Sequence, residues 1–239
     1  MKRGPLRDRA TGRLQSNPAV SRCRAPLTIV AAVALALASA SAQVSVRTFD
    51  EDAVGTAPGG FTLATARQQT PGRWLVRAEG ANHYLTHLAD PAASGGFALA
   101  VLDAPHPAEM RASVRLKLTE GERVGGLVWR YQDAENFYLA ALDLRVQEVA
   151  LYRVVRGNRI RLDEEDELEL DPFAWHSLRV VQDDDDIRVS LGGIGVMRAR
   201  DRTLAEGGRA GVWSGGGATT WFDDLRVEPE LDEGRRRNR

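Results

Sequence analysis

Short runs of alternating apolar and polar residues, broken at roughly even spacing by turn residues, constrain this chain more than any other feature. Ala112-Ser113-Val114-Arg115-Leu116-Lys117-Leu118 alternates with period two, as do Val149–Val154, Leu178–Val181 and Ile187–Leu191. Between them stand Glu120-Gly121-Glu122, Arg156-Gly157-Asn158, Gln182 to Asp186 and Leu191-Gly192-Gly193. Period two puts alternate side chains on opposite faces of a strand, and Gly, Asn and Asp supply the backbone angles of tight hairpins. Beyond residue 42 no long amphipathic helical pattern occurs, and neither a Pro/Gly/Ser-rich linker nor an internal repeat divides the chain. The pattern predicts an all-β fold, a two-sheet antiparallel sandwich or barrel, in one domain over residues 43–228. The roughly 197 residues after position 42 are enough to bury one large core unaided.

The N-terminus predicts an export signal. Residues 1–24 carry seven bases against Asp8, and the apolar run Leu27–Ala38 follows. Ala40-Ser41-Ala42 fits the small-residue pattern read by signal peptidase, placing a mature start near Gln43. As a membrane anchor the run falls short of the roughly 20 apolar residues that a bilayer requires. The expected location is therefore periplasmic or extracellular. The chain has 32 Lys+Arg and 33 Asp+Glu; losing seven bases and one acid leaves 25 against 32, a net charge of about −7. Such a domain is a poor partner for nucleic acid or an anionic membrane surface. The one cysteine, Cys23, precedes the apolar run, so the mature domain is expected to lack thiol chemistry. Beyond Val227 the periodicity fades, and residues 229–239 read as a disordered basic tail.

Several segments resemble a known family. Gly126-Leu127-Val128-Trp129-Arg130-Tyr131-Gln132-Asp133, followed by Asn136-Phe137-Tyr138-Leu139, is similar to a core motif of concanavalin A-like lectin/glucanase jelly rolls. The laminin G-like and 3-keto-disaccharide-hydrolase-like domains of exported bacterial proteins are the closest in type. Trp175-His176-Ser177-Leu178-Arg179-Val180, Gly211-Val212-Trp213 and Phe222-Asp223-Asp224-Leu225-Arg226-Val227 match later motifs in the expected order. Phe49–Gly55 and Pro58–Phe61 match the opening strand and loop. The resemblance implies a jelly roll from Phe49 to Val227; it leaves function open, because this architecture hosts lectins, glycosidases and adhesion modules. No cofactor is expected, and a structural calcium uniting Asp50 with Asp223 or Asp224 is an alternative that would suit some relatives. Where relatives carry Asp-Gly in a hairpin, this chain has Gly192-Gly193, which keeps the turn and loses the carboxylate.

Chemistry is sparsely signalled. A laminarinase-type glycosidase presents E-x-D-x-x-E on one strand, with its two working carboxyls about 5–5.5 Å apart for retention. The nearest approach here, Glu169-Leu170-Asp171-Pro172-Phe173-Ala174, ends in Ala and carries a proline unsuited to a central strand. Asp163–Glu169 reads as an acidic surface loop, and Asp183–Asp186 as a solvated hairpin tip that lacks the shape of a calcium loop. His83 and His87 fall four apart on an expected strand, about 13 Å from each other and too far to share a metal. No catalytic or metal-ligating residue is assigned.

What remains is an aromatic set in a chain only 6% aromatic: Trp74, Trp129, Tyr131, Tyr138, Tyr152, Trp213 and Trp221. Saccharides stack apolar faces on such rings while polar side chains bind their hydroxyls. The expected ligand-binding residues are Trp129, Arg130, Tyr131, Gln132, Asp133, Asn136, Tyr138 and Tyr152, on the reading that Leu127, Trp129 and Tyr131 share one strand face. The sequence thus points to an exported module that binds a carbohydrate or small-molecule ligand. Two alternatives stand beside it: a glycoside-processing enzyme of the 3-keto-disaccharide-hydrolase-like type, and an adhesion domain with a protein partner.

Overall fold

The computed structural model describes residues 44–66, 72–90, 92, 96–215 and 217–230, all within the compact unit Ala40–Arg239. The predicted export segment with Cys23, and residues 231–239, lie outside them. The strands in chain order are β1 (Ser45–Arg47), β2 (Phe61–Ala66), β3 (Arg73–Glu79), β4 (Asn82–Leu88), β5 (Phe97–Leu102), β6 (Met110–Gly121), β7 (Val124–Asp133) and β8 (Asn136–Asp143). They continue with β9 (Glu148–Val155), β10 (Asn158–Glu165), β11 (His176–Asp183), β12 (Asp186–Leu191), β13 (Ile194–Arg200), β14 (Arg209–Gly215) and β15 (Ala218–Pro229). No helix among the described residues is long and apolar enough to cross a membrane.

Two antiparallel sheets form a sandwich, as the alternation predicts. One is eight-stranded, in the order β13-β12-β11-β6-β15-β4-β3 with β1 also paired to β15. The other is seven-stranded, in the order β10-β9-β8-β7-β14-β5-β2. Val114, Leu116 and Leu118 of β6, Leu178 and Val180 of β11, and Phe222, Leu225 and Val227 of β15 meet Leu127, Trp129, Tyr138, Ala140, Leu142 and Leu151 of the facing sheet. This is the inter-sheet core. At Gly192 and Gly193 the backbone takes φ 58° and 86°, the paired positive angles of the tight β12–β13 turn, a geometry that needs no carboxylate.

The two sheets differ in what they present outward. Along β6 every second residue is buried, leaving Arg111, Ser113, Arg115 and Lys117 on the outer side. Strand β5 is instead buried throughout, and β7, β8 and β14 nearly so. A second apolar cluster, including Phe97, Leu99, Val128, Phe137, Leu139, Tyr152 and Trp213, covers the far face of the seven-stranded sheet. Near-continuous apolar runs such as Phe97-Ala98-Leu99-Ala100-Val101-Leu102 are what a sheet covered on both faces requires.

Three local expectations need correction. Tyr131 does not share a face with Leu127 and Trp129: a bulge sets in after Trp129, Arg130 takes φ 45°, and Tyr131 turns to the outer cluster. One extra residue reverses the facing of everything beyond it. Asp163–Glu165 belong to β10 and pair with Val149–Leu151; only the residues after them are irregular. Finally, β15 continues to Pro229, and Glu230 pairs with Arg111 at 2.6 Å, so the ordered chain passes residue 228.

His87 is fully buried on β4, its Nδ1 lying 2.9 Å from the Ala218 carbonyl and 3.0 Å from Ser214 Oγ of the opposite sheet. Burial pushes its pKa down, and that of buried His106 likewise. Below about pH 6.5 the unfolded chain takes up protons that these rings refuse when folded, so stability falls as pH falls. Stability, read from urea midpoints and m-values, should therefore fall as pH drops below about 6.5, by up to ~1.4 kcal/mol per pH unit for each ring. His87→Gln should flatten that slope; an unchanged slope would mean that His87 titrates normally.

Candidate functional site

The outer face of the seven-stranded sheet holds a cavity of about 460 Å³, and register explains its shape. Cross-strand partners share a face. Trp213 of β14, Gly126 of β7, Ala141 of β8 and Ala150 of β9 are successive partners in one row. Three small residues beside one large indole leave a trough across neighbouring strands. Gly126 cannot be enlarged, since a Cβ there would stand 1.9 Å from the Ala140 carbonyl oxygen.

The flanking rows make the walls. On one side Val124, Asp143 and Glu148 are partners across β7, β8 and β9, and Phe97 faces Gly215. On the other side Leu139, Tyr152 and Arg161 are partners across β8, β9 and β10. Phe97 packs on Trp213 with centroids 5.4 Å apart. The Arg159 guanidinium lies over both Tyr152, at 4.7 Å, and Phe97, at 5.2 Å. Arg161 donates to Tyr152 Oη at 3.1 Å and pairs with Glu148 at 3.3 Å. Arg145 grips Asp143 with two hydrogen bonds, which hold the guanidinium pKa above its ordinary value. Glu122 also reaches the rim. The trough thus offers rings for an apolar ligand face, with guanidinium donors and carboxylate acceptors at its edges.

The eight residues expected from sequence do not come together. Trp129 and Tyr138 point into the inter-sheet core, ring centroids 5.6 Å apart. The Trp129 indole N–H donates to Gln182 Oε1 at 2.9 Å. Tyr138 Oη donates to Asp201 at 2.6 Å and accepts from the Leu204 N–H; burial, with the Asp201 carboxylate, pushes its pKa up to about 12. Arg130 is 2% exposed and donates to the carbonyls of Ala108, Leu204 and Asp184. Asp133 and Asn136 hydrogen-bond each other across the exposed β7–β8 turn, beside exposed Gln132. Tyr131 lies on the outer face, stacked on Phe137 with Arg209 above it. Of the eight, only Tyr152 lines the trough. Trp213 stood in the wider aromatic set; Phe97, Asp143, Glu148, Arg159, Arg161 and the small row were missed. Their sequence signal is small residues at outward positions of otherwise bulky strands, which acquires meaning only with the register.

Asp50 accepts from the His83 N–H at 3.0 Å, and Asp223 accepts from the Asn82 side chain at 3.1 Å. Both aspartates are held by the first residues of β4, and among the described residues no group of three or more His, Cys, Asp or Glu is placed to hold a metal. The Asp183–Asp186 tip is crossed by arginines: Arg202 meets Asp184 and Asp185, and Arg198 meets Asp186.

No family model and no curated protein matches this chain. Solved structures do. The carbohydrate-binding module CBM66 from Bacillus subtilis aligns with 70% of this chain and 94% of its own, at TM-score 0.57 and 21% identity. Domain 4 of AbnA, a GH43 extracellular arabinanase from Geobacillus stearothermophilus solved with arabinotriose, aligns over 79% and 93%, at TM-score 0.54 and 13% identity. A β-1,3-1,4-glucanase (lichenase) from a mouse hindgut metagenome aligns over 78% and 99%, at TM-score 0.54 and 14% identity. Identities this low speak to fold alone. The fold of this chain is a two-sheet antiparallel jelly-roll sandwich of the concanavalin A-like kind.

Proposed function

We propose that this chain is an exported carbohydrate-binding domain that holds a saccharide in the trough of its seven-stranded sheet without transforming it. The observation that carries the reading is the row Trp213-Gly126-Ala141-Ala150, a ring beside three small residues on a face that is otherwise apolar. A pyranose or furanose ring lying on Ala141 and Ala150 would meet Trp213 and Phe97 at one end and Tyr152 at the other. Arg145, Arg159 and Arg161 would donate to its hydroxyls, and Glu122, Asp143 and Glu148 would accept from them. That solved neighbours of this fold include a module named for carbohydrate binding and a domain solved with arabinotriose supports the ligand class.

One observation favours a second reading, glycoside processing. Asp143 and Glu148 stand directly opposite each other on β8 and β9, two carboxylates on one face. Each is engaged by an arginine, whereas a glycosidase acid must be free to give its proton to the leaving oxygen.

The test is a panel of neutral oligosaccharides titrated against the purified protein, read by tryptophan fluorescence and by release of reducing ends. Ala141→Phe fills the trough from its floor. It should weaken saccharide binding by roughly tenfold or more while moving the thermal midpoint by no more than a few degrees. Binding that survives Ala141→Phe would remove the trough from consideration. Release of reducing ends, abolished in Glu148→Gln, would replace the binding reading with the enzymatic one.

A further inference from the structure

We infer that the outer face of the eight-stranded sheet is a second, separate binding surface, for an acidic glycan bearing carboxylate or sulfate groups. It lies on the opposite side of the sandwich from the trough, so the two readings stand or fall independently.

Strand β6 organises this face. Its outward residues Arg111, Ser113, Arg115 and Lys117 form a line, and their cross-strand partners build rows on either side. Arg179 of β11, Ser113 and Arg226 of β15 are partners in one row. Together with Arg111 and Glu228 they line a notch of about 350 Å³. Glu228 pairs with Arg226 at 2.6 Å, and Glu230 with Arg111 at 2.6 Å. Arg179 is exposed and has no carboxylate partner among the described residues, so the notch holds one guanidinium more than its acids balance.

Two residues further along β6 the chemistry turns aromatic. Tyr84 of β4 stacks on Trp221 of β15 with centroids 4.6 Å apart, and Trp175, just before β11, adjoins both rings at 6.0 and 6.2 Å. Arg115 lies over Trp175 at 5.1 Å and Lys117 over Trp221 at 5.2 Å. Arg115 is also paired with Asp224 at 3.1 Å; Lys117 has no carboxylate partner among the described residues. From Arg111 to Lys117 the track spans about 20 Å of extended strand, the length of several sugar units.

The pairing of features selects the ligand. Rings with cations directly over them suit a sugar that presents an apolar face together with an anionic group, and Arg179, whose partner Ser113 stands two residues from Arg115, suits the next anion along the chain. A protein that is acidic outside its N-terminal segment has little to attract a general polyanion, so rings must contribute alongside charge.

The experiment titrates the purified protein with polygalacturonate oligomers and, separately, with chondroitin sulfate oligomers, at low and moderate salt. Neutral cello-oligosaccharides, polyphosphate and single-stranded DNA serve as controls. At least one acidic glycan should bind, more weakly as salt rises, and which arm responds identifies carboxylate or sulfate as the recognised group. Exposed Arg179→Glu should weaken that binding by about tenfold, and Trp175→Ala by a similar factor, while Ala141→Phe leaves it unchanged. Circular dichroism of each variant excludes unfolding as the cause, and Arg179 is exposed. No binding of either acidic glycan at low salt would overturn the inference. So would loss of binding in Ala141→Phe with none in Arg179→Glu, which would seat the ligand in the trough. Equal binding of polyphosphate and DNA, indifferent to Trp175→Ala, would also overturn it, leaving a face that selects charge alone.

Discussion

Arg130→Ala should destabilise the protein by at least about 3 kcal/mol, lowering its urea midpoint without changing the denaturant slope. The residue is 2% exposed, and three of its five N–H donors, one on each guanidinium nitrogen, go to three carbonyls from separate segments: Ala108 after β5, Leu204 before β14 and Asp184 in the β11–β12 turn. Alanine would leave those carbonyls without their donor in a closed site, each costing about 1–3 kcal/mol unless water enters. The residue also holds φ 45°, an angle that ordinary residues adopt only when surroundings enforce it. Burial lowers its pKa, yet arginine begins so high that it stays charged at any workable pH. Arg130→Lys should recover little of the loss, because one ammonium cannot reach three carbonyls through a planar fork. A lysine variant as stable as the parent would show that charge, and not the fork, holds this junction.

Trp129→Ala is expected to cost about 3–5 kcal/mol, as large-to-small changes of buried aromatics do. The ring is fully buried in the inter-sheet core, stacked on Tyr138, and its N–H satisfies Gln182, itself fully buried on β11. Truncation would open a cavity and orphan the Gln182 oxygen at once. Chemical denaturation measures the first effect. Saccharide titration under conditions where the variant remains folded gives the second result: affinity at the trough should be unchanged, because Trp129 faces the other side of the sheet. A loss of affinity in the folded variant would return Trp129 to the ligand.

That contrast shows how far the aromatic motif could be read in advance. Trp129, Tyr138 and Tyr152 look alike in the sequence, each a ring in a strand with polar neighbours. Their separation follows from parity: on β8 Tyr138, Ala140 and Leu142 face inward while Phe137, Leu139 and Ala141 face outward. When both faces of a strand are apolar, alternation no longer marks which side meets solvent, and β5, β7, β8 and β14 are of this kind. On β6 and β11 the alternation survives, and the inward residues could be named from the sequence directly.

The sequence by itself determined that the chain is built of antiparallel strands and hairpins, because period-two patterning and turn chemistry act between near neighbours and require no knowledge of distant partners. It also carried the order of motifs that resembles the jelly roll. Only the tertiary structure decided where a ligand can sit. The trough depends on Gly126, Ala141, Ala150 and Trp213 falling into one row, which pairs four strands in a register set by turns and bulges far from those residues. The bulge at Arg130 reversed Tyr131, and the pairing of β6 with both β11 and β15 gathered Arg179, Ser113 and Arg226. A side chain's direction along a strand changes with every single-residue slip, so a surface assembled from several strands exists only once all their registers are fixed together.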